Sequence, residues 1–158
     1  MDVTFEKGNK TTDTWLTPPQ LLKSLGEFDL DPCCPVEMPW PTAKKHYTET
    51  DNGLMQNWEG RVWCNPPYSD AGTWLGKCCM HGNAIALVFA RTETNMFFEY
   101  VWKAAHGILF IRGRISFYNA KGEKGSSAGA PSVLIAYGKE NAEVLSNLKI
   151  GKFIRLRD

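Results

Sequence analysis

No apolar run in this sequence approaches the ~20 residues that cross a bilayer, so it offers no membrane-spanning segment. Charge of one sign is also lacking: 18 Lys and Arg stand against 17 Asp and Glu. A net charge of +1 excludes a strongly basic coat for nucleic acid, though not a local basic face. The five cysteines, Cys33, Cys34, Cys64, Cys78 and Cys79, contain no C-x-x-C. Adjacent cysteines do not easily ligate one tetrahedral ion together, so no metal is expected. Residues 1–7 lack the charged-then-apolar pattern of an export signal. With the odd cysteine count, this points to reduced thiols in a cytoplasm. Internal repeats and interdomain linkers are absent as well. We read residues 1–13, which are polar and carry Gly8-Asn9, as a mobile arm, and residues 14–158 as one domain.

What is present is organised around Arg61-Val62-Trp63-Cys64-Asn65-Pro66-Pro67-Tyr68. Val62, Trp63 and Cys64 suit a buried strand, with Cys64 a small apolar core residue. The two prolines end the ladder, because neither has an N–H to donate. Pro66 also pushes Asn65 out of the helical region. Asn65 therefore stands at the carbonyl end of a strand, where open α/β sheets place ligands. An exocyclic amine on a nucleobase is a poor nucleophile, since its lone pair is delocalised into the ring. The Asn65 side-chain oxygen and the Pro66 carbonyl are both acceptors. Two acceptors on one NH₂ favour a tetrahedral nitrogen and free the lone pair for attack. Tyr68 adds a flat face for a base, worth about 1–3 kcal/mol. The same residues also suit a purely structural Pro-Pro turn.

The rest of the chain alternates short strands and helices. Thr17 reads as an N-cap, Pro18 as a first helical residue and Gly26 as a stop, with Leu21, Leu22 and Leu25 on one face. Phe28 and Leu30 alternate with Asp29 and Asp31 before Pro32, which predicts a short strand ending in a carboxylate; an Asp-Pro turn is the plainer alternative. Residues 35–57 read as an irregular loop with an Asn52-Gly53 turn. Asp70 is expected to cap a helix that ends at Gly82. Residues 84–90 are continuously apolar, which predicts a central parallel strand buried on both faces. Thr94 is expected to cap a helix over 95–105. Residues 107–111 and 132–138 predict two further buried strands, antiparallel because the Gly-, Ser- and Lys-rich loop over 119–131 is too short for a crossover helix. A helix over 141–148 and an edge strand over 152–155 follow. The pattern predicts an α/β fold: a single-domain sheet, mostly parallel, with one late antiparallel strand.

Trp15-Leu16-Thr17-Pro18, Phe28-Asp29-Leu30-Asp31-Pro32-Cys33, Tyr47-Thr48 with Asp51-Asn52-Gly53-Leu54, Asn65-Pro66-Pro67-Tyr68-Ser69 and Gly113-Arg114-Ile115-Ser116-Phe117 occur in that order. With these five stretches the chain resembles the phage and prophage type of DNA N6-adenine methyltransferase. The resemblance implies a reduced class I, Rossmann-like sheet, S-adenosylmethionine as cofactor and double-stranded DNA as partner, with the target adenine flipped out. It implies a catalytic role for Asn65, Pro66, Pro67 and Tyr68. It implies cofactor contacts from Trp15, Thr17, Pro18, Asp29, Asp31, Pro32, Cys33 and Asp51, with Asp31 meeting the methionine ammonium and Asp51 the adenine. DNA contacts are expected from Ser69, Arg91, Arg114, Lys121 and Lys124, and a bacterial host's cytoplasm as the place of action.

The chain departs from that pattern in two places. Cofactor loops of the class continue as Asp-Pro-x-x-Gly-x-Gly, whereas Asp31-Pro32-Cys33-Cys34-Pro35 has no glycine. Only 34 positions separate Asp31 from Asn65, so one or two of the usual seven strands should be missing or reduced. Glu37 and Glu49 are the candidates for the ribose. Two other functions fit the same residues: methyl transfer to RNA adenine, cytosine N4 or a protein glutamine amide, and a relative that binds DNA or cofactor without turnover.

Overall fold

The computed structural model describes residues 15–158. The arm expected at 1–13 lies outside the described residues. The chain forms α1 (Pro19–Ser24), β1 (Leu30–Asp31), β2 (Lys45–His46), β3 (Val62–Cys64), α2 (Ala71–His81) and β4 (Ala84–Phe89). It continues with α3, an α-helical start at Asn95–Phe97 running into a π-helical turn at Phe98–Trp102. Then come β5 (Gly107–Ile111), β6 (Ser116–Tyr118), β7 (Lys124–Ser127), β8 (Ser132–Tyr137), α4 (Lys139–Ser146) and β9 (Gly151–Arg155).

Seven strands form one sheet in the order β2-β1-β3-β4-β8-β5-β9. The pairs among β2, β1, β3 and β4 are parallel. β8 is antiparallel to both β4 and β5, and β9 is antiparallel to β5. Two late strands thus oppose the other five, where the sequence predicted one. The reason is α4: a helix leaving β8 carries the chain back along the sheet, so β9 runs with β8 on the far side of β5. β4 is central, as its apolarity predicts, but parallel only on its β3 side.

Successive side chains of a strand point to opposite faces. Val62, Cys64, Ala84, Ala86, Val88, Val133 and Ile135 pack on one face with Trp74, Leu75 and Cys78 of α2 and Phe97 and Val101 of α3. Trp63, Ile85, Leu87, Leu134 and Ala136 pack on the other with Leu22 of α1, Leu25 just beyond it, and Ala142 and Leu145 of α4. Apolar residues at every position of β4, and at every position of β8 after Ser132, follow from this three-layer arrangement. Burial pushes the Cys64 thiol well above its ordinary range, so it sits in the core as a neutral group.

Helix signals behave locally as expected at two places. Asp70 takes the N-cap position of α2, though its side chain bonds no backbone N–H of the helix and accepts instead from Thr73 Oγ1 at 2.7 Å, and Gly82 ends the helix at φ +78°. Thr94 Oγ1 accepts from the Phe97 N–H at 3.3 Å. Three expectations are corrected. Thr17 does not cap α1; Pro18 holds that position, because the Thr17 hydroxyl is engaged elsewhere. The stretch 35–57 carries β2 and two 3-10 turns, Glu49–Asp51 and Gly53–Met55. The loop 119–131 carries β7, which pairs with β6 as a hairpin outside the main sheet. Among the described residues no helix is long and apolar enough to cross a membrane.

Candidate active site

β3 ends at Cys64, and Asn65 follows at its carbonyl end. The Asn65 Nδ2 donates to the Trp15 carbonyl at 2.8 Å and to Thr17 Oγ1 at 3.1 Å. The Trp15 carbonyl can only accept, so it decides which end of the carboxamide carries the nitrogen, and the Thr17 hydroxyl gives that end a second partner. Leu16 pairs with Tyr118 of β6, through Leu16 N to Tyr118 O at 2.8 Å and Tyr118 N to Leu16 O at 2.9 Å. Residues 15–17 thus form an extended strap between the hairpin and Asn65.

β1 brings Asp31 to the same end of the sheet, where it is 4% exposed. Its Oδ1 accepts from the Cys33 N–H at 3.2 Å, and its Oδ2 accepts from Thr42 Oγ1. Burial pushes this carboxyl up to about 6, against the opposing pull of its Thr42 and Cys33 hydrogen bonds. Cys33 Sγ lies 3.4 Å from the Asn65 carbonyl, which joins the Asp31 turn to the end of β3. Trp15, Thr17, Asp31, Cys33, Asn65 and Tyr68 line one narrow cleft. It shares Cys33, Pro35 and Pro67 with a second cleft of about 560 Å³, lined among others by Glu37, Glu49, Asn52, Ser69 and Trp74.

The floor of the larger cleft is held from below. A Cβ on Gly53 would meet the Pro32 carbonyl oxygen at 1.9 Å, so only glycine lets this turn lie on the Asp31-Pro32 turn. Trp58 Nε1 donates to the Gly53 carbonyl at 2.9 Å, and Lys77 Nζ to the Leu54 carbonyl at 2.7 Å.

Tyr68, 36% exposed, stacks on Phe89 at the end of β4 with ring centroids 4.5 Å apart and planes at 20°. The Arg91 guanidinium lies 5.8 Å from the Phe89 ring centre. An acceptor pair, a buried carboxyl and a supported aromatic ring therefore converge where three parallel strands end.

A family model for DNA N-6-adenine-methyltransferase (Dam) matches residues 6–150. The chain belongs to this family. It is therefore an enzyme that methylates the N6 amine of adenine in DNA. No curated protein and no solved structure matches it. Among the described residues of this Dam-family enzyme, no group of three or more His, Cys, Asp or Glu could hold a metal ion.

The structure gathers most of the residues singled out in the sequence. Trp15, Thr17, Asp31, Cys33, Asn65, Pro66, Pro67 and Tyr68 line the narrow cleft, and Pro32 and Ser69 join the larger one. Pro18 lines neither and starts α1. Asp29 is also apart: its Oδ2 accepts from the Arg61 N–H at 2.7 Å, before the amino end of β3. Asp51 lies on the turn beside the larger cleft, its Oδ2 accepting from the Thr48 N–H at 2.8 Å and Thr48 Oγ1 at 3.2 Å. Lys121 and Lys124 stand exposed on the hairpin, and Arg114 Nη1 donates to the Ala128 carbonyl at 3.2 Å.

Sequence reasoning missed two members of the site. Thr42 lies in a Pro-rich loop, and nothing in its surroundings marks it as a partner of Asp31. Phe89 did carry a signal, since it ends the strand beside β3, and an aromatic there faces the same edge as Tyr68.

Proposed function

We propose that the methyl donor is S-adenosylmethionine, held across the two clefts, and that the target adenine leaves a DNA duplex to reach Asn65. The observation that carries this reading is the fixed Asn65 carboxamide beside the buried Asp31 carboxyl. The residues fit the donor. A buried carboxylate suits an ammonium, Glu37 and Glu49 suit ribose hydroxyls, and Trp74 offers an aromatic wall for an adenine. The cofactor supplies a methyl group on an electrophilic sulfonium. Asn65 Oδ1 and the Pro66 carbonyl accept from the adenine N6 amine and turn its lone pair toward that methyl. Catalysis is then chiefly positioning, with the spare amine proton released to water.

The strand order supports a reduced class I sheet. β1 and β3 are adjacent, and a late antiparallel strand, β8, is inserted between β4 and β5. Among the described residues no strand lies beyond β2, where the class I sheet has one more, and β9 stands at the opposite edge. On this reading residues 14–158 are the catalytic domain, and both clefts are lined from Trp15 onward. Ser69, Arg91, Arg114, Lys121 and Lys124 meet the DNA, and Ala120, beside Lys121, reaches the rim of the larger cleft. With its DNA substrate and five free thiols, we assign the enzyme to a bacterial cytoplasm, encoded by a phage or prophage.

Tyr68 tests whether the acceptor is a flipped base. Tyr68→Phe keeps the ring and is expected to keep most activity. Tyr68→Ala is expected to lose about 1–3 kcal/mol of base stacking, read in DNA affinity, kcat or both. A mismatched target adenine should bind more tightly than a paired one, because part of the cost of flipping is removed. Methyl transfer by the three proteins on matched and mismatched oligonucleotides decides the matter. Equal Phe and Ala activities, with no mismatch preference, would rule out a flipped base stacked on Tyr68.

A further inference from the structure

A carboxamide has two ends of nearly equal size, and only one can accept from an amine. Asn65 can assist its substrate only when Oδ1 points into the cleft. A half-turn about the terminal bond would put Oδ1 against the Trp15 carbonyl, where Nδ2 now lies at 2.8 Å, and set acceptor against acceptor. It would also present an NH₂ to the incoming NH₂. What prevents this lies outside the catalytic stretch, on the strap formed by residues 15–17.

We propose that Thr17 is a positioning residue for methyl transfer: the Trp15 carbonyl sets the accepting orientation of the Asn65 carboxamide, and the Thr17 hydroxyl holds it there with a second hydrogen bond. This rests on the reading of Asn65 as the group that grips the amine. Thr17 is 2% exposed and its Oγ1 takes the second Nδ2 hydrogen at 3.1 Å. Leu16, 6% exposed, is clamped on both sides of its peptide by Tyr118, so the strap cannot follow a turning amide. A Thr at this point explains what a helix N-cap does not, because α1 takes Pro18 as its cap. It also separates Thr17 from a cofactor contact: the hydroxyl acts on the acceptor side of the reaction.

The test compares Thr17→Val, which keeps the shape and removes the acceptor, with Thr17→Ser, which restores it. Thr17→Val is expected to lower kcat roughly two- to tenfold, the worth of one ordinary hydrogen bond. KM for DNA and the Kd for S-adenosylmethionine, measured by calorimetry without DNA, should not change. Side-chain amide protons of Asn65, followed by NMR in the unliganded protein, should exchange faster in Thr17→Val and slow again in Thr17→Ser. A weakened cofactor Kd with normal kcat at saturation would make Thr17 a cofactor contact and overturn the proposal. Should Thr17→Val fail to fold, Thr17→Ser decides alone: normal kcat with slow exchange supports it, and a lowered kcat with faster exchange overturns it. Asn65→Ala, run alongside, keeps the two readings apart: normal turnover there would remove the role of Asn65 itself, whatever Thr17 does.

Discussion

Asn65→Ala is expected to lower turnover 10²–10³-fold while the protein stays folded. On the proposed reading one of two acceptors on the reacting amine disappears, and a preorganised hydrogen bond to developing charge is worth about 2.7–4 kcal/mol. The substitution also cuts the two bonds that Nδ2 makes to the strap. Neutral hydrogen bonds contribute about 0.5–1.5 kcal/mol each, so a modest drop in Tm should accompany the loss. Turnover is therefore to be measured per folded molecule, below the melting range of the variant. Near-normal methyl transfer to adenine-containing DNA would strip Asn65 of its catalytic role.

Asp31 should show the second large effect, this time on cofactor binding. Asp31→Ala is expected to weaken S-adenosylmethionine by about 2–5 kcal/mol, the cost of leaving a buried cation without its partner, with little change in DNA affinity. The pH dependence follows from the same group. Its folded pKa is raised from 3.8 to about 6 by burial. Between those values the folded protein holds a proton that the unfolded chain has lost, so stability of the unliganded protein falls as pH rises through that window. The total is at most about 3 kcal/mol. A cationic ligand needs the carboxylate, so its binding runs the other way: affinity should be full above pH 7 and fall roughly tenfold per unit below about 6. Asp31→Asn is expected to flatten both profiles. Calorimetric titrations from pH 5 to 8 check this, and a cofactor Kd independent of pH in the unaltered protein would return Asp31 to a simple turn residue.

Signals that act over a few residues were readable in the sequence. The Pro-Pro stop after Cys64, the Asp70 and Thr94 helix starts and the Gly82 stop depend on backbone rules that hold wherever the chain goes. So was the central place of β4, because continuous apolarity leaves a strand no solvent face. Thr17 shows where such reading fails. A Thr before Pro looks like a cap, yet its hydroxyl is taken by a side chain 48 residues later. Thr42 reaches Asp31 in the same long-range way. The edge strand over 152–155 was legible, but its direction was not, because that is set by how α4 returns the chain across the sheet and not by the residues of β9. β7, polar and glycine-containing, gives no apolar signal at all.

The sheet is uneven in a way that bears on how the molecule breathes. β1 and β2 have two residues each and β3 has three, whereas β4 and β8 are joined over six positions. Asp31 and Asn65 stand at the ends of the short strands. Amide hydrogen exchange should therefore divide the sheet: β4 and β8 open only with global unfolding, while β1 and β2 exchange through cheaper local openings. Cofactor, if it bridges Asp31 and the end of β3, should slow exchange in the short half and leave the local barrier of the long half unchanged. Uniform exchange across all seven strands would contradict this. The ladder from β4 to β9 then acts as the rigid footing, and the cofactor itself supplies part of the order that the short strands are too brief to supply alone.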